Sequence, residues 1–347
     1  MKEDGDSLAG KALRRFITAG ELTLRHLPIG LSGARVYRCQ TAHGQFALKQ
    51  WPVDTPAQRL DEVHLVQRLA SESLAAVPRL LLCDEGQTRL SLAPGMHFEL
   101  STWMPGSPFL DPACHPGREG SADLDLADRA LLAVRTGAAA IAQFHQATAV
   151  LGVHQAVAPA VMQRIERLSQ LNSELAMAIP VAQKHGGAIA LAAGYWQRHG
   201  GRLLSESDSV LRPWVTRPVT TQWVLRDVHR DHLLFKSQQV SGIVDFDAIR
   251  RDTKATDLAR WVGSFAELRM DRDKLWDAAF SGYSDVLVIS ACEQALSRDI
   301  ERASWCIHLA NWVVWSGAGL EKIPGGIAAA DRRVAWLLRR SGVRLEI

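Results

Sequence analysis

The chain has 347 residues, of which 47% are hydrophobic and 22% charged, ordinary globular usage that excludes wholesale disorder. A net charge of +3 is too small for counterion-driven nucleic-acid binding, and no apolar run reaches the roughly 18–20 residues of a membrane span. The acidic start (Glu3, Asp4, Asp6) lacks a signal peptide's apolar core, and five scattered cysteines without C-x-x-C spacing read as free thiols. The expectation is a cytoplasmic protein with neither a nucleic-acid nor a membrane partner.

Residues 7–19 read as a short helix. Alternating runs at Leu22–His26, Arg35–Gln40 and Gln45–Trp51 are separated by Gly30-Leu31-Ser32-Gly33 and His43-Gly44, the pattern of antiparallel hairpins. Pro56–Ser73 places Leu60, Val63, Leu65, Val66 and Leu69 on one helical face, with Pro56 suited to a first turn. Two further strands are expected at Arg89–Leu92 and Met96–Trp103, ended by Pro105-Gly106. Residues 107–125 read as a linker, and the pattern beyond is helical: 126–149, 157–202 with a break near Pro180 or Gly186, 255–269, 272–284, 286–317 and 325–341. One hairpin interrupts it, with arms at Val224–Phe235 and Val240–Phe246. The domains expected are 1–105, a strand-rich unit with one central helix, and 106–347, a helical unit carrying the hairpin 224–247 and an insertion at about 150–215 that shapes a substrate pocket.

Charged residues crowd into that hairpin. Its first arm contains Asp227, His229 and His232, and its second Asp245 and Asp247, with Asp227 and Asp245 eighteen positions apart. Carboxylates beside such apolar runs need compensating charge, which a bound divalent cation supplies. Asp247 lies two residues from Asp245, on the same face of a strand, and adds a third carboxylate.

Leu225-Arg226-Asp227-Val228-His229-Arg230-Asp231-His232, then an apolar strand, a turn and Val244-Asp245-Phe246, resembles the core of the aminoglycoside phosphotransferase and choline kinase-like families, distant relatives of the protein kinases. Their string is H-G-D-x-H-x-x-N followed by I-D-F/W. The resemblance implies that Asp227 is the catalytic Asp, that His232 stands at the metal-binding Asn, and that Asp245 is the metal-binding Asp. Asp257-Leu258-Ala259-Arg260 looks like the following D-[LI]-A segment, whose Asp braces the loop. Upstream, Gly30, Ser32 and Gly33 fall where a nucleotide-covering loop belongs, Lys49 at the phosphate-holding lysine, and Glu62 at its ion-pair partner. Ser101, Thr102 and Trp103 fall in the hinge whose backbone would hold adenine, and Ile141–His145 resembles the helix after it.

The implied fold is α+β and two-lobed, protein kinase-like, with a small antiparallel sheet plus helix as N-lobe and a large, mainly helical C-lobe. The implied activity is Mg2+-dependent transfer of the γ-phosphoryl group of ATP (or GTP) to a hydroxyl of a small-molecule acceptor. Leu225 and Arg226 depart from the family's His and Gly, and His232 departs from its Asn. An imidazole suits Mg2+ poorly, so Mn2+ is an alternative metal and a nucleotide-binding pseudokinase an alternative function. A zinc hydrolase built on His229 and His232 is a weaker third reading. Residues 321–347 carry six bases against three acids. If they line the acceptor site, a neutral or anionic acceptor is expected rather than an aminoglycoside.

Overall fold

The computed structural model describes residues 2–3, 7–17, 23–27, 33–109, 126–268, 270–317 and 326–340. Its contacts divide the chain into two compact units, Met1–Cys114 with His232–Asp247, and His115–Asp231 with Ala248–Ile347.

The first unit is built on a six-stranded antiparallel sheet. After β1 (Lys2–Glu3) and helix α1 (Leu8–Phe16) come β2 (Thr23–His26), β3 (Arg35–Thr41) and β4 (Gly44–Gln50). Helix α2 (Ala57–Ser73) then precedes β5 (Leu90–Ala93) and β6 (Met96–Thr102), and the order across the sheet is β1-β2-β3-β4-β6-β5. Alternation does what the sequence promises. Tyr37 and Cys39 on β3 and Phe46 and Leu48 on β4 are buried, and they pack in one cluster with Ala9, Ala12 and Leu13 of α1. In α2, Leu60, Val63, Val66 and Ala70 form a fully buried stripe. Burying each of the three larger side chains is worth about 1.5–3 kcal/mol. Pro56 stands at the N-cap in extended backbone, one residue ahead of the first turn.

After β6 the chain runs through Met104-Pro105-Gly106 into β7 (Ser107–Pro108), which pairs with β10 (Leu233–Lys236); β10 in turn pairs with β11 (Gln239–Ile243). Ser237 and Gln238 turn this hairpin with positive φ. Gly106 has to be glycine. Its φ is +100°, and a Cβ there would lie 2.3 Å from Ser241 Oγ and 2.7 Å from the Phe235 carbonyl oxygen.

The second unit is mostly helical. It holds α3 (Leu126–Thr148), β8 (His154–Ala156), α4 (Pro159–Ala182), α5 (Gly187–Leu211), β9 (Val219–Val224), β12 (Arg250–Thr253), α6 (Lys254–Gly263), α7 (Arg272–Ser284), α8 (Ala291–Gly317) and α9 (Gly326–Arg340). The expected break near Pro180 or Gly186 falls at Gly186, whose φ of +77° ends the helical path, while Pro180 stays inside α4. A core of α4, α5, α8 and α9 residues, including Leu171, Trp196, Leu309 and Leu338, holds this unit together.

The expected long hairpin is corrected. Asp227 lies on neither arm but in the loop between β9 and β10, and β9 instead pairs antiparallel with β12 and β8. The cause is Arg226, whose φ of +65° no strand accommodates. Among the described residues, no helix is long and apolar enough to cross a membrane.

Candidate active site

In the first unit the charged groups gather around Lys49 on β4. Its ammonium donates to Asp247 and lies 3.7 Å from Asp245 Oδ1, and it sits 4.4 Å from the centroid of the Trp51 ring. Burial alone would lower the Lys49 pKa, but Asp247, Asp245 and Glu99 outweigh it and hold the amine above its ordinary value. Asp245 occupies left-handed backbone at φ +66°, a conformation a non-glycine residue adopts at a cost of about 1–3 kcal/mol. Burial would raise its pKa, yet Lys49 and then His232 pull it below the usual carboxylate range. Asp247 is pushed the other way, to about 6, by burial and by the neighbouring Asp245. The Asp247 carbonyl accepts from Arg59 at 2.8 Å.

Glu62 does not meet Lys49. Its carboxylate lies 3.6 Å from Arg59 and is 43% exposed. The buried acid opposite Lys49 is Glu99, its directly paired residue across the β4–β6 ladder. Glu99 Oε2 accepts from Trp51 Nε1 at 2.7 Å and lies 2.7 Å from His64 Nε2 of α2. Burial would raise Glu99, but the His64 and Trp51 bonds and the Lys49 charge keep it below its ordinary pKa. Sequence reasoning missed both Glu99 and His64. Glu99 could have been found, because the alternation that buries Phe98 and Leu100 also fixes what stands across from Lys49.

The remaining expected nucleotide contacts divide. Gly30 and Ser32 lie outside the described residues, and Gly33 has φ +76° with open space where a Cβ would be. Ser101 is buried in β6, bridged to Leu80. The Thr102 amide donates to the Arg79 carbonyl at 2.9 Å and the Trp103 amide to that of Gln45 at 3.1 Å, so both hinge amides are committed to protein rather than free for adenine.

Asp245 and Asp247 offer the oxygen ligands a hard divalent cation takes, and an ammonium already bridges them, so the donor set fits such an ion. His232 Nε2 lies 3.5 Å from Asp245 Oδ2 and adds an imidazole, which suits Mn2+ or a softer ion better than Mg2+.

In the second unit the loop after β9 is fixed by Asp257 of α6. This carboxylate, fully buried, accepts the amides of Leu225 at 2.8 Å and Arg226 at 2.6 Å. It also lies 2.9 Å from His145 Nε2, whose other ring nitrogen is 2.8 Å from the Tyr283 hydroxyl. His145 is thus a core residue bracing the brace. Asp227 presents a carboxylate 45% exposed, with Arg260 Nε and Nη2 each 2.8 Å from its Oδ1. Arg226 points back, 3.5 Å from Asp252 and 2.5 Å from Gln163 Oε1. A loop held by a buried acceptor and carrying a half-exposed carboxylate fixes that carboxylate in place, an arrangement that can serve a general base.

A family model described as the phosphotransferase enzyme family matches residues 23–287. The chain belongs to this family. Solved structures agree on the protein kinase-like fold. An aminoglycoside phosphotransferase from Alicyclobacillus acidocaldarius aligns over 93% of this chain and 95% of its own, at TM-score 0.57 and 16% identity. A spectinomycin phosphotransferase in complex with ADP and spectinomycin aligns over 96% and 92%, at 0.60 and 11%. An amicoumacin kinase in complex with AMP-PNP and Ca2+ aligns over 93% and 89%, at 0.60 and 11%. No curated protein matches the chain. The matched stretch contains Lys49, Asp227, His232 and Asp245.

Proposed function

We propose that this phosphotransferase moves the γ-phosphoryl group of ATP to a hydroxyl of a small molecule. The observation that carries the reading is Lys49. The ammonium expected to face phosphates is buried against Asp245 and Asp247, the carboxylates expected to hold the accompanying cation. Asp227 orients the acceptor hydroxyl and takes its proton as the new O–P bond forms and the bond from the γ-phosphorus to the β-bridging oxygen breaks, releasing ADP. Lys49 neutralises phosphate charge, and positioning with electrostatic stabilisation supplies the catalysis. A divalent cation on Asp245, Asp247 and His232 would neutralise the phosphates further. The related amicoumacin kinase and spectinomycin phosphotransferase, solved with nucleotides, support the choice of donor.

A second reading rests on His232. An imidazole in place of an oxygen ligand, 3.5 Å from Asp245, favours a nucleotide-binding pseudokinase if it leaves the site unable to hold Mg2+. Turnover of γ-labelled ATP against a panel of alcohols, in Mg2+ and in Mn2+, separates the two. Transfer in either metal supports the enzyme, and nucleotide binding without transfer in both supports the pseudokinase.

A further inference from the structure

We propose that the cavity beside Asp227 is an oxyanion subsite, and that the acceptor alcohol carries a carboxylate or phosphate group seated on Arg164. The word acceptor rests on the kinase reading; the subsite itself does not. The cavity, about 140 Å3, lies within the second unit, its wall formed by Arg164 of α4, Arg226 and Asp227 of the loop, Arg260 of α6, and Trp305 and Trp336 of α8 and α9.

The cations of this wall are unequally partnered. Arg260 is paired with Asp227, and Arg226 with Asp252. Glu301, the other acid on the wall, is paired with Arg272. Arg164 donates to two neutral groups, Ser304 Oγ and the Ala160 carbonyl, each at 2.9 Å, and among the described residues no carboxylate forms an ion pair with it. A partly buried guanidinium whose Nε and Nη1 are held by neutral acceptors keeps Nη2 for an incoming carboxylate or phosphate. Burial, with the charges of Arg226 and Arg260, brings its pKa down to about 10 against the pull of Asp252, so it is charged at neutral pH and under repulsion that an anion relieves.

A second observation is independent of charge. Trp336 Nε1 is buried and has no hydrogen-bond partner among the described residues. Arg333 lies over the Trp336 ring at 4.4 Å, and burial and Arg260 lower its pKa too. With Arg164, Trp336 Nε1 gives the wall two donor groups for an acceptor-bearing ligand, while its carboxylates, Asp227 and Glu301, already meet Arg260 and Arg272. The volume is close to the roughly 150 Å3 of a cavity that holds benzene, so a head group of about six heavy atoms fits. A polyamine acceptor would meet like charge here.

Titration calorimetry on the full chain, without nucleotide, tests this with inorganic phosphate, acetate and putrescine as probes. Phosphate, acetate or both should bind the wild type and putrescine should not, with the stronger of the two anions naming the group the acceptor carries. Arg164→Met should weaken the anion at least tenfold and Trp336→Phe severalfold, while Lys11→Ala, an exposed cation removed from α1 in the other unit, should bind it like wild type. If Arg164→Met fails to fold, Arg164→Lys takes its place, with a smaller weakening expected because the fork is lost and the charge kept. No anion binding, unchanged binding in the Arg164 and Trp336 variants, or loss in Lys11→Ala overturns the subsite. Anion binding that behaves as expected, without transfer from ATP to any hydroxy acid or sugar phosphate, retains the subsite and sinks the kinase reading. Efficient phosphorylation of amino alcohols, with a KM unmoved by Arg164→Met, does the reverse.

Discussion

Asp257 accepts the Arg226 amide at 2.6 Å from a fully buried position, and so carries the one residue of the β9–β10 loop whose φ is positive. Asp257→Asn keeps the shape but removes the charge that two amides and His145 share. We expect a loss of about 1–3 kcal/mol in urea unfolding, with a fall in transfer beyond what the lost stability explains. Wild-type stability in the variant would show that the loop holds itself.

Lys49→Ala should destabilise the first unit. It strips a counter-charge from Asp247 and Asp245, but Asp245 is 38% exposed, so the cost is on the order of 1–3 kcal/mol rather than the ~3–5 of a fully buried pair. Mn2+ or Mg2+ should restore part of it by replacing the missing positive charge. Denaturation in chelator and in metal checks both halves, and equal stability of wild type and variant in chelator contradicts the account.

Much of the fold was legible because its signals are local. The strands β2–β6 show alternation in sequence, and α2 shows its stripe. What escaped depends on distant partners. His154–Ala156 and Arg250–Thr253 are polar stretches that become strands only by pairing with β9. Lys49 finds Asp247 across 198 positions, and no periodicity reports such a pair. Arg164 sits on α4 among other polar residues, where a solvated face is the ordinary expectation; its partial burial and its bond to Ser304 come from a helix 140 residues later.

The Glu99 carboxyl is held below its ordinary pKa of 4.5. A depressed carboxyl contributes stability that is fully present above 4.5 and lost as pH falls towards the folded-state value. Unfolding free energy should therefore decline below pH 4.5, and Glu99→Gln should flatten that decline relative to wild type. Parallel pH profiles for the two proteins would remove Glu99 from the charged cluster.

Gly106→Ala combines a φ of +100° with a Cβ driven against Ser241 and the Phe235 carbonyl. A cost of about 1–3 kcal/mol is expected from the overpacking alone. An unfolding midpoint equal to wild type would mean the hinge strand moves freely off the β10–β11 hairpin.

His232→Asn restores the family's string. With ATP present it should bind Mg2+ more tightly and lose preference for Mn2+. Identical metal stoichiometry and identical Mg2+/Mn2+ preference in the two proteins would place His232 outside the coordination sphere.

The central claim is that Asp227 takes the acceptor proton, and its most direct test is transfer from γ-labelled ATP by wild type and Asp227→Asn with one acceptor. The account predicts a fall of at least about a hundredfold in kcat, within the ~10²–10⁴ range of a general base, with ATP affinity and unfolding midpoint close to wild type. Turnover within about tenfold of wild type would contradict it.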